Sequence, residues 1–314
     1  METNPAPSPP AGGSVRSLTA EDLDAVVDLD QRITGGCRRS YFERRLAAAR
    51  GDPSRHLQLA APSPSGLAGF ALGRLVAGEF GRAEPALMLE TVGVEPTLQG
   101  KGLGHRLMTA LAERARSRGA RIVVTHADWR DHSMLAFLDR AGFSLGPRLI
   151  LERRVHRMPL PDTDEEIERR PPTVRHLRAD DLDMVTRIDR LVTAEDRGEY
   201  LRRKVDEALH ESAIVVSLVA EDDGFVVAFA MAKVDLGDFG HVVPTASLDT
   251  IGVSPGFAGR GFARALLTQM IDNLSALHVD TIETEVAREA FGLLRFLYRF
   301  GFGPSQRLSF MRGC

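Results

Sequence analysis

Thr91-Val-Gly-Val-Glu-Pro96-Thr-Leu-Gln-Gly100-Lys-Gly102-Leu-Gly104 recurs, 159 residues later, as Thr250-Ile-Gly-Val-Ser-Pro255-Gly-Phe-Ala-Gly259-Arg-Gly261-Phe-Ala263. The same offset relates Gly93 to Gly252 and Gly142-Phe143 to Gly301-Phe302. Self-similarity over this distance marks a tandem duplication. A length of 314 residues also favours two domains. In each copy a β-branched strand runs into a glycine-dense turn and then a helix. Glycine lets backbone N–H groups approach an anion without a Cβ in the way. The helix N-terminus adds partial positive charge. Lys101 and Arg260 can add a full charge at the rim. One such turn is ordinary; two in the same strand–turn–helix context point to a pyrophosphate cradle.

The rest of each copy follows suit. Val15–Asp24 aligns with Val174–Asp183, each a short strand leading to a helix with Asp22 or Asp181 at its start. Those helices end at Thr34 and Thr193, and second helices are expected over Tyr41–Ala49 and Tyr200–Ala208. Strands follow at 57–61 and 214–220, at 67–74 and 226–233, and at 86–94 and 246–253. Between the last two lies a shared loop, Gly78-Glu-Phe-Gly81 and Gly237-Asp-Phe-Gly240. After the glycine turn come helices at 105–118 and 264–277, strands at 121–125 and 281–285, helices at 134–140 and 293–299, and a final strand past Gly-Phe that closes each unit. The order β-α-α-β-β-β-α-β-α-β makes the fold class α/β, with a mixed sheet. Residues 1–13 are Pro-rich and expected to be disordered; 14–155 form domain 1, the charged, Pro-rich 156–173 a linker, and 174–314 domain 2.

Composition excludes several classes. A net charge of −3 gives no global basic surface, so no nucleic-acid partner is expected. No apolar run reaches the roughly 18 residues that span a bilayer, so no membrane partner is expected. Cys37 and Cys314 are the two cysteines and lie far apart in sequence. A disulfide framework is not expected, and a cytoplasmic location fits. His105, His126 and His132 lack metal-ligand spacing, so no metal is expected.

Gln99-x-x-Gly102-x-Gly104 resembles the (Gln/Arg)-x-x-Gly-x-(Gly/Ala) acyl-CoA loop of the GCN5-related N-acetyltransferase (GNAT) superfamily. Leu89–Pro96 and Phe137-Leu-Asp-Arg-Ala-Gly-Phe143 also fit, and the resemblance covers nearly all of both repeats. The competing dinucleotide fingerprint, Gly-x-Gly-x-x-Gly, is matched in register by neither turn. The resemblance implies two tandem GNAT-like acyl-CoA N-acyltransferase domains. Acetyl-CoA would be the co-substrate and a primary amine, on a small molecule, peptide or protein, the acceptor. The amine would attack the acetyl carbon directly. The cofactor-binding residues would be Val92, Gly93, Val94, Gln99, Gly100, Lys101, Gly102, Leu103, Gly104 and Asp131 in repeat 1. In repeat 2 they would be Ile251, Val253, Gly259, Arg260, Gly261, Phe262 and Ala263. A backbone N–H near Val92 would polarise the thioester carbonyl.

The attacking amine must lose a proton. Glu90 and its counterpart Asp249 are the first candidates; a carboxylate there can instead tie down a neighbouring loop. Glu79 and Asp238 in the shared loop are the second, with turn capping as their alternative role. The family's thiolate-protonating tyrosine falls at Leu138 and Leu297, so that acid is unassigned; Tyr298 stands one residue on, about 100° round the helix, as a candidate to take over the role, with a packed or surface tyrosine as the alternative. Tyr41, Tyr200, Arg38 and Arg197 recur in both copies, and packing is the favoured role. Trp129-Arg-Asp-His132 either lines the acceptor site of repeat 1 or is an exposed loop. Repeat 1 keeps every element of the loop and is expected to be the catalytic one. Repeat 2 has Ala258 in place of Gln99 and should still bind CoA, with a second catalytic site as an open alternative. A non-catalytic, CoA-binding regulatory protein is the alternative. The chain is expected to be a monomer or homodimer.

Overall fold

The computed structural model describes residues 14–64, 66–82, 84–156, 172–207, 216–235 and 245–314. The Pro-rich residues 1–13, most of the expected linker, the Gly237–Gly240 loop with Asp238, and the beginning of the strand expected from Ile214 lie outside the described residues.

Repeat 1 supplies β1 (Arg16–Ser17), α1 (Leu23–Thr34), α2 (Arg39–Gly51), β2 (His56–Ser63), β3 (Gly66–Val76), β4 (Ala86–Val94), α3 (Leu103–Arg116), β5 (Ile122–Asp128), α4 (His132–Arg140), β6 (Ser144–Leu145) and β7 (Arg148–Arg154). Repeat 2 supplies β8 (Thr173–His176), α5 (Leu182–Thr193), α6 (Gly198–Asp206), β9 (Leu218–Asp222), β10 (Phe225–Asp235), β11 (Thr245–Val253), α7 (Phe262–Ala276), β12 (Thr281–Ala287), α8 (Phe291–Arg299), β13 (Gly303–Pro304) and β14 (Arg307–Gly313). Two seven-stranded mixed sheets result, ordered β1-β2-β3-β4-β5-β14-β6 and β13-β7-β12-β11-β10-β9-β8.

One expectation is corrected here. The strand after Gly-Phe does not close its own unit. β7 runs antiparallel to β12 from Arg148↔Ala287 to Arg154↔Thr281. β14 pairs with β6 through Phe310↔Leu145 and Met311↔Ser144. The apolar alternation of a strand sets which face is buried, not which neighbour accepts its hydrogen bonds.

The chain divides into two compact units: residues 1–75, 87–123 and 313–314, and residues 76–86 with 124–312. In the first, Val26, Leu29, Tyr41 and Phe42 of the α1–α2 pair pack on Phe70 and Leu72 of β3. In the second, successive β10 residues part to two faces, as a strand requires. Ala228, Ala230 and Ala232 meet Leu266, Leu267 and Met270 of α7. Phe229 and Met231 meet Val185 and Ile188 of α5 and Tyr200 of α6. Each fully buried Leu or Phe side chain stabilises the fold by roughly 1.5–3 kcal/mol.

Both repeats start their first helix with the same device. The Asp22 carboxylate accepts the Thr19 N–H at 2.8 Å and is gripped by Arg16. Asp181 accepts the Arg178 N–H at 2.7 Å and is gripped by Arg175.

Candidate active site

The glycine turns have the backbone that an anion cradle needs. Gly100 and Gly102 sit at φ +74° and +81°, and Gly259 and Gly261 at +75° and +88°. Side-chain-bearing residues avoid this left-handed region. Open space lies where each Cβ would stand. Gly102 and Gly261 are the N-caps of α3 and α7, so both helices begin two residues earlier than expected. The first intrahelical bonds run from Arg106 N–H to Gly102 O and from Ala265 N–H to Gly261 O. The first-turn amides of Leu103, Gly104, Phe262 and Ala263 thus have no intrahelical acceptor. Leu103 and Phe262 are buried and anchor the helix starts. Gln99 ties the turn back to β4: its Nε2 donates to Val94 O at 3.2 Å. Ala258 cannot do this. Lys101 and Arg260 are exposed at the rims, and the Arg260 guanidinium lies 5.0 Å over the Phe257 ring.

Repeat 2 opens beside its cradle. The parallel β11–β12 register ends at Ser247↔Glu283, although both strands continue. The Thr284 hydroxyl still donates to Leu248 O at 2.8 Å. A cavity of 310 Å³ lies between Val253, Phe257 and the cradle on one side and Phe296, Arg299 and Phe300 of α8 and its end on the other. Glycines that leave room before unpaired amides, with a cavity leading away, fit a diphosphate and an extended arm.

Gly93 was expected on cofactor grounds, and the structure adds a packing reason. A Cβ there would stand 2.6 Å from the Phe70 ring and 2.9 Å from Ile33. At Gly252 the clash is with Phe229, at 2.7 Å. Val92, Val94, Ile251 and Val253 lie partly exposed around them.

Glu90 is buried on β4 and held by two guanidinium groups, Arg74 Nε at 3.2 Å and Arg45 Nε at 3.5 Å. In repeat 2 the β10–β11 register skips Asp249, a bulge. The Asp249 carboxylate then meets Lys204 Nζ at 2.8 Å and the Ser247 hydroxyl at 3.1 Å. Arg45 and Lys204 are repeat equivalents, a match visible at the 159-residue offset once the acid is chosen.

Tyr41 and Tyr200 are buried beneath these pairs. Arg38 and Arg45 lie over the Tyr41 ring, and Arg197 and Arg203 over Tyr200. Burial and then Glu90 push the Tyr41 phenol up; burial, Asp249 and Glu79 do the same to Tyr200. Both are neutral at working pH. Arg38 and Arg197 reach back to Asp30 and Asp189, with Nε–O distances of 2.8 and 2.9 Å.

Glu79 sits in a 3-10 turn, Glu79–Gly81, and is 2 % exposed. Its Oε1 is 3.4 Å from Arg203 NH2. Asp131 is the N-cap of α4: its Oδ1 accepts the Met134 N–H at 3.0 Å and the Ser133 hydroxyl at 2.7 Å. Tyr298 is 46 % exposed on α8. Trp129 is half exposed, and its indole N–H donates to the Gln306 side chain. Reading the sequence missed a buried cluster at the bulge end of the opening, where Glu285 meets Arg82, Arg148 and His126. Its members are far apart in sequence and carry no motif.

These features define an α/β protein in which each repeat runs from a strand through left-handed glycines into a glycine-capped helix. The Acetyltransferase (GNAT) family pattern matches residues 23–143 and again residues 182–302, and the chain belongs to that family. Solved structures share the fold over nearly its full length. A GCN5-related N-acetyltransferase from Sphaerobacter thermophilus is 18 % identical, with a TM-score of 0.63 over 95 % of both chains. A tandem GNAT protein from the clavulanic acid biosynthesis pathway is 14 % identical, with a TM-score of 0.66 over 96 % of this chain and 98 % of that one. A GCN5-related glucosamine N-acetyltransferase region of a fungal multi-domain β-N-acetylglucosaminidase is 16 % identical, with a TM-score of 0.69. It covers 98 % of this chain and 39 % of that one. No curated protein sequence matches the chain. Among the described residues no helix is long and apolar enough to cross a membrane.

Proposed function

We propose that the protein transfers an acetyl group from acetyl-CoA to a primary amine by direct attack, with repeat 1 carrying the turnover and repeat 2 retaining an acyl-CoA site. The paired cradles support this reading most directly: left-handed glycines, open space before them and unpaired helix-turn amides. Residues 99–104 and 259–263 would hold the pyrophosphate of CoA, and Val92 and Ile251 lie on the strands that lead into them. Acetyl-CoA would supply an activated thioester, and the glycine turns would hold it.

Glu90 is our candidate proton acceptor in repeat 1. Arg45 and Arg74 hold its carboxylate in place, and a general base of this kind contributes roughly 10²–10⁴ in rate. Asp249 is its counterpart in repeat 2, and Glu79 and Asp238 of the shared loop are the second candidates. Domain limits of 14–155 and 174–314 accompany this reading.

The clamped carboxylates and the leucines at the tyrosine positions favour one other reading, a regulator that binds acyl-CoA without turnover. Two measurements decide: calorimetric titration with acetyl-CoA, and mass analysis of a diamine, an aminoglycoside and a lysine peptide incubated with enzyme and acetyl-CoA. Binding together with an acetylated amine supports the enzyme. Binding without acetylation of any of them supports the regulator, and no binding removes both.

A further inference from the structure

A loop of repeat 1 lies against β11 and β12 of repeat 2, the two strands whose pairing ends at Ser247↔Glu283. The turn after β3 is fixed residue by residue within one compact unit. Arg203 of α6 donates to Ala77 O at 3.3 Å and lies 3.4 Å from the Glu79 carboxylate. Arg197, just before α6, donates to Gly78 O at 2.5 Å and to the Thr250 hydroxyl at 3.2 Å. Arg148 of β7 donates to Phe80 O, and Arg82 pairs with Glu285 of β12. The 79–81 turn touches both β11 and β12, the two strands that part to form the opening.

The fit is close. A Cβ on Gly78 would stand 2.4 Å from Tyr200 Cγ, so the backbone lies flat on the ring. Gly78 takes φ +96° and Phe80 φ +55°. A phenylalanine in the left-handed region is held there against its own preference, by contacts on both sides. Glu79, Asp249 and Tyr200 are all buried, and both carboxylates push the Tyr200 phenol up.

An attacking amine must come within about 3–3.5 Å of the thioester carbon. That requires free space at Asp249 and Thr250, where the strands part. The 79–81 turn touches β11 and β12 there, and Arg197 bonds both Gly78 O and the Thr250 hydroxyl.

We propose that Gly78–Arg82 closes repeat 2 to amine acceptors, so that this loop decides which half of the protein takes substrate. The proposal rests on the reading that repeat 2 holds acyl-CoA. Repeat 2 then binds acyl-CoA without passing the acyl group on. The counterpart loop, Gly237–Gly240, lies outside the described residues.

Thiol accessibility tests the closure without any knowledge of the acceptor. Asp249→Cys is made in the full chain with Cys37→Ser and Cys314→Ser, and treated with 2-aminoethyl methanethiosulfonate, an amine-bearing thiol reagent. Lys204 keeps Glu207, 3.0 Å away, as a partner. With the native loop, labelling is expected to be at least about tenfold slower than that of exposed Cys37 in a chain carrying only Cys314→Ser, because a closed form in excess limits access. Deleting residues 79–81 should raise the rate by at least about tenfold on the same ground. Arg203→Ala, which loosens the loop without shortening it, serves if the deletion does not fold. Labelling as fast as Cys37 with the native loop overturns the proposal, and so does an unchanged slow rate in the deletion or, where that does not fold, in Arg203→Ala. Acetyl-CoA titration into Gly102→Asp speaks to the supporting reading: no residual binding removes the cofactor site of repeat 2. That failure is distinct from a failure of the labelling.

Discussion

His126 Nε2 stands 3.5 Å from Glu285 Oε2, and the two residues are repeat equivalents, 159 positions apart. Each lies on the strand that follows its cradle helix, β5 or β12. The duplication has placed a histidine in one copy opposite a carboxylate in the other. Arg148 adds a second partner at 3.1 Å and Arg82 a third. Burial alone would raise the Glu285 carboxyl, but His126, Arg82 and Arg148 outweigh it and hold it at about 2.

A carboxyl held below its ordinary value of 4.5 contributes stability that is fully present above that value. The contribution is lost as pH falls toward the folded value of about 2. Glu285→Gln leaves two buried guanidinium groups short of an anion and should cost about 3–5 kcal/mol at neutral pH. Urea unfolding of both proteins checks this. The gap between them should stay constant above pH 4.5 and narrow below it; a gap independent of pH down to the acid limit would count against the ion cluster.

Gly102→Asp and Gly261→Asp place a negative side chain before the first-turn amides, at φ values of +81° and +88°. Each should weaken acetyl-CoA at its own cradle by about ten- to a hundredfold, from roughly 1–3 kcal/mol of strain and repulsion. Calorimetry should resolve two sites in the unmodified protein and one in each variant. Unchanged affinity would show that the turn holds no phosphate.

Gly93→Ala and Gly252→Ala test packing. The new methyl would meet Phe70 at 2.6 Å or Phe229 at 2.7 Å, rings that lie in the core. Overpacking of this kind costs about 1–3 kcal/mol. Thermal unfolding should show a lower Tm for both variants.

Glu90→Gln should lower kcat by about a hundredfold, the low end for a general base, with the Kd for acetyl-CoA unchanged. A pH–rate profile that keeps its shape and height would remove Glu90 from the chemistry. Tyr298→Phe should leave kcat unchanged within about twofold, since an exposed surface substitution perturbs little. A large fall would mean that the phenol protonates the leaving thiolate.

Much of this was legible in the chain. The strand–turn–helix reading of both cradles needed only glycine spacing and β-branched runs, because those signals are local. Two helix starts were placed late, since an N-cap glycine such as Gly102 looks like part of the turn until its φ is known. Glu90 and Asp249 could be singled out, but not the cations that hold them. Arg45 and Lys204 stand on helices whose rotation over the sheet is set by packing.

By itself the sequence determined the duplication, the order of the main elements and the two glycine turns. Backbone conformation at glycine and the period of apolar residues are properties of short segments. Tertiary structure alone decided three things: that β7 joins β12, that the 79–81 turn rests on β11 and β12, and that His126 meets Glu285. A strand's edge bonds equally well with any strand of matching length. A loop's resting place and a buried ion pair depend on which surfaces the finished fold brings within a few ångströms, and no short stretch of the chain contains that information.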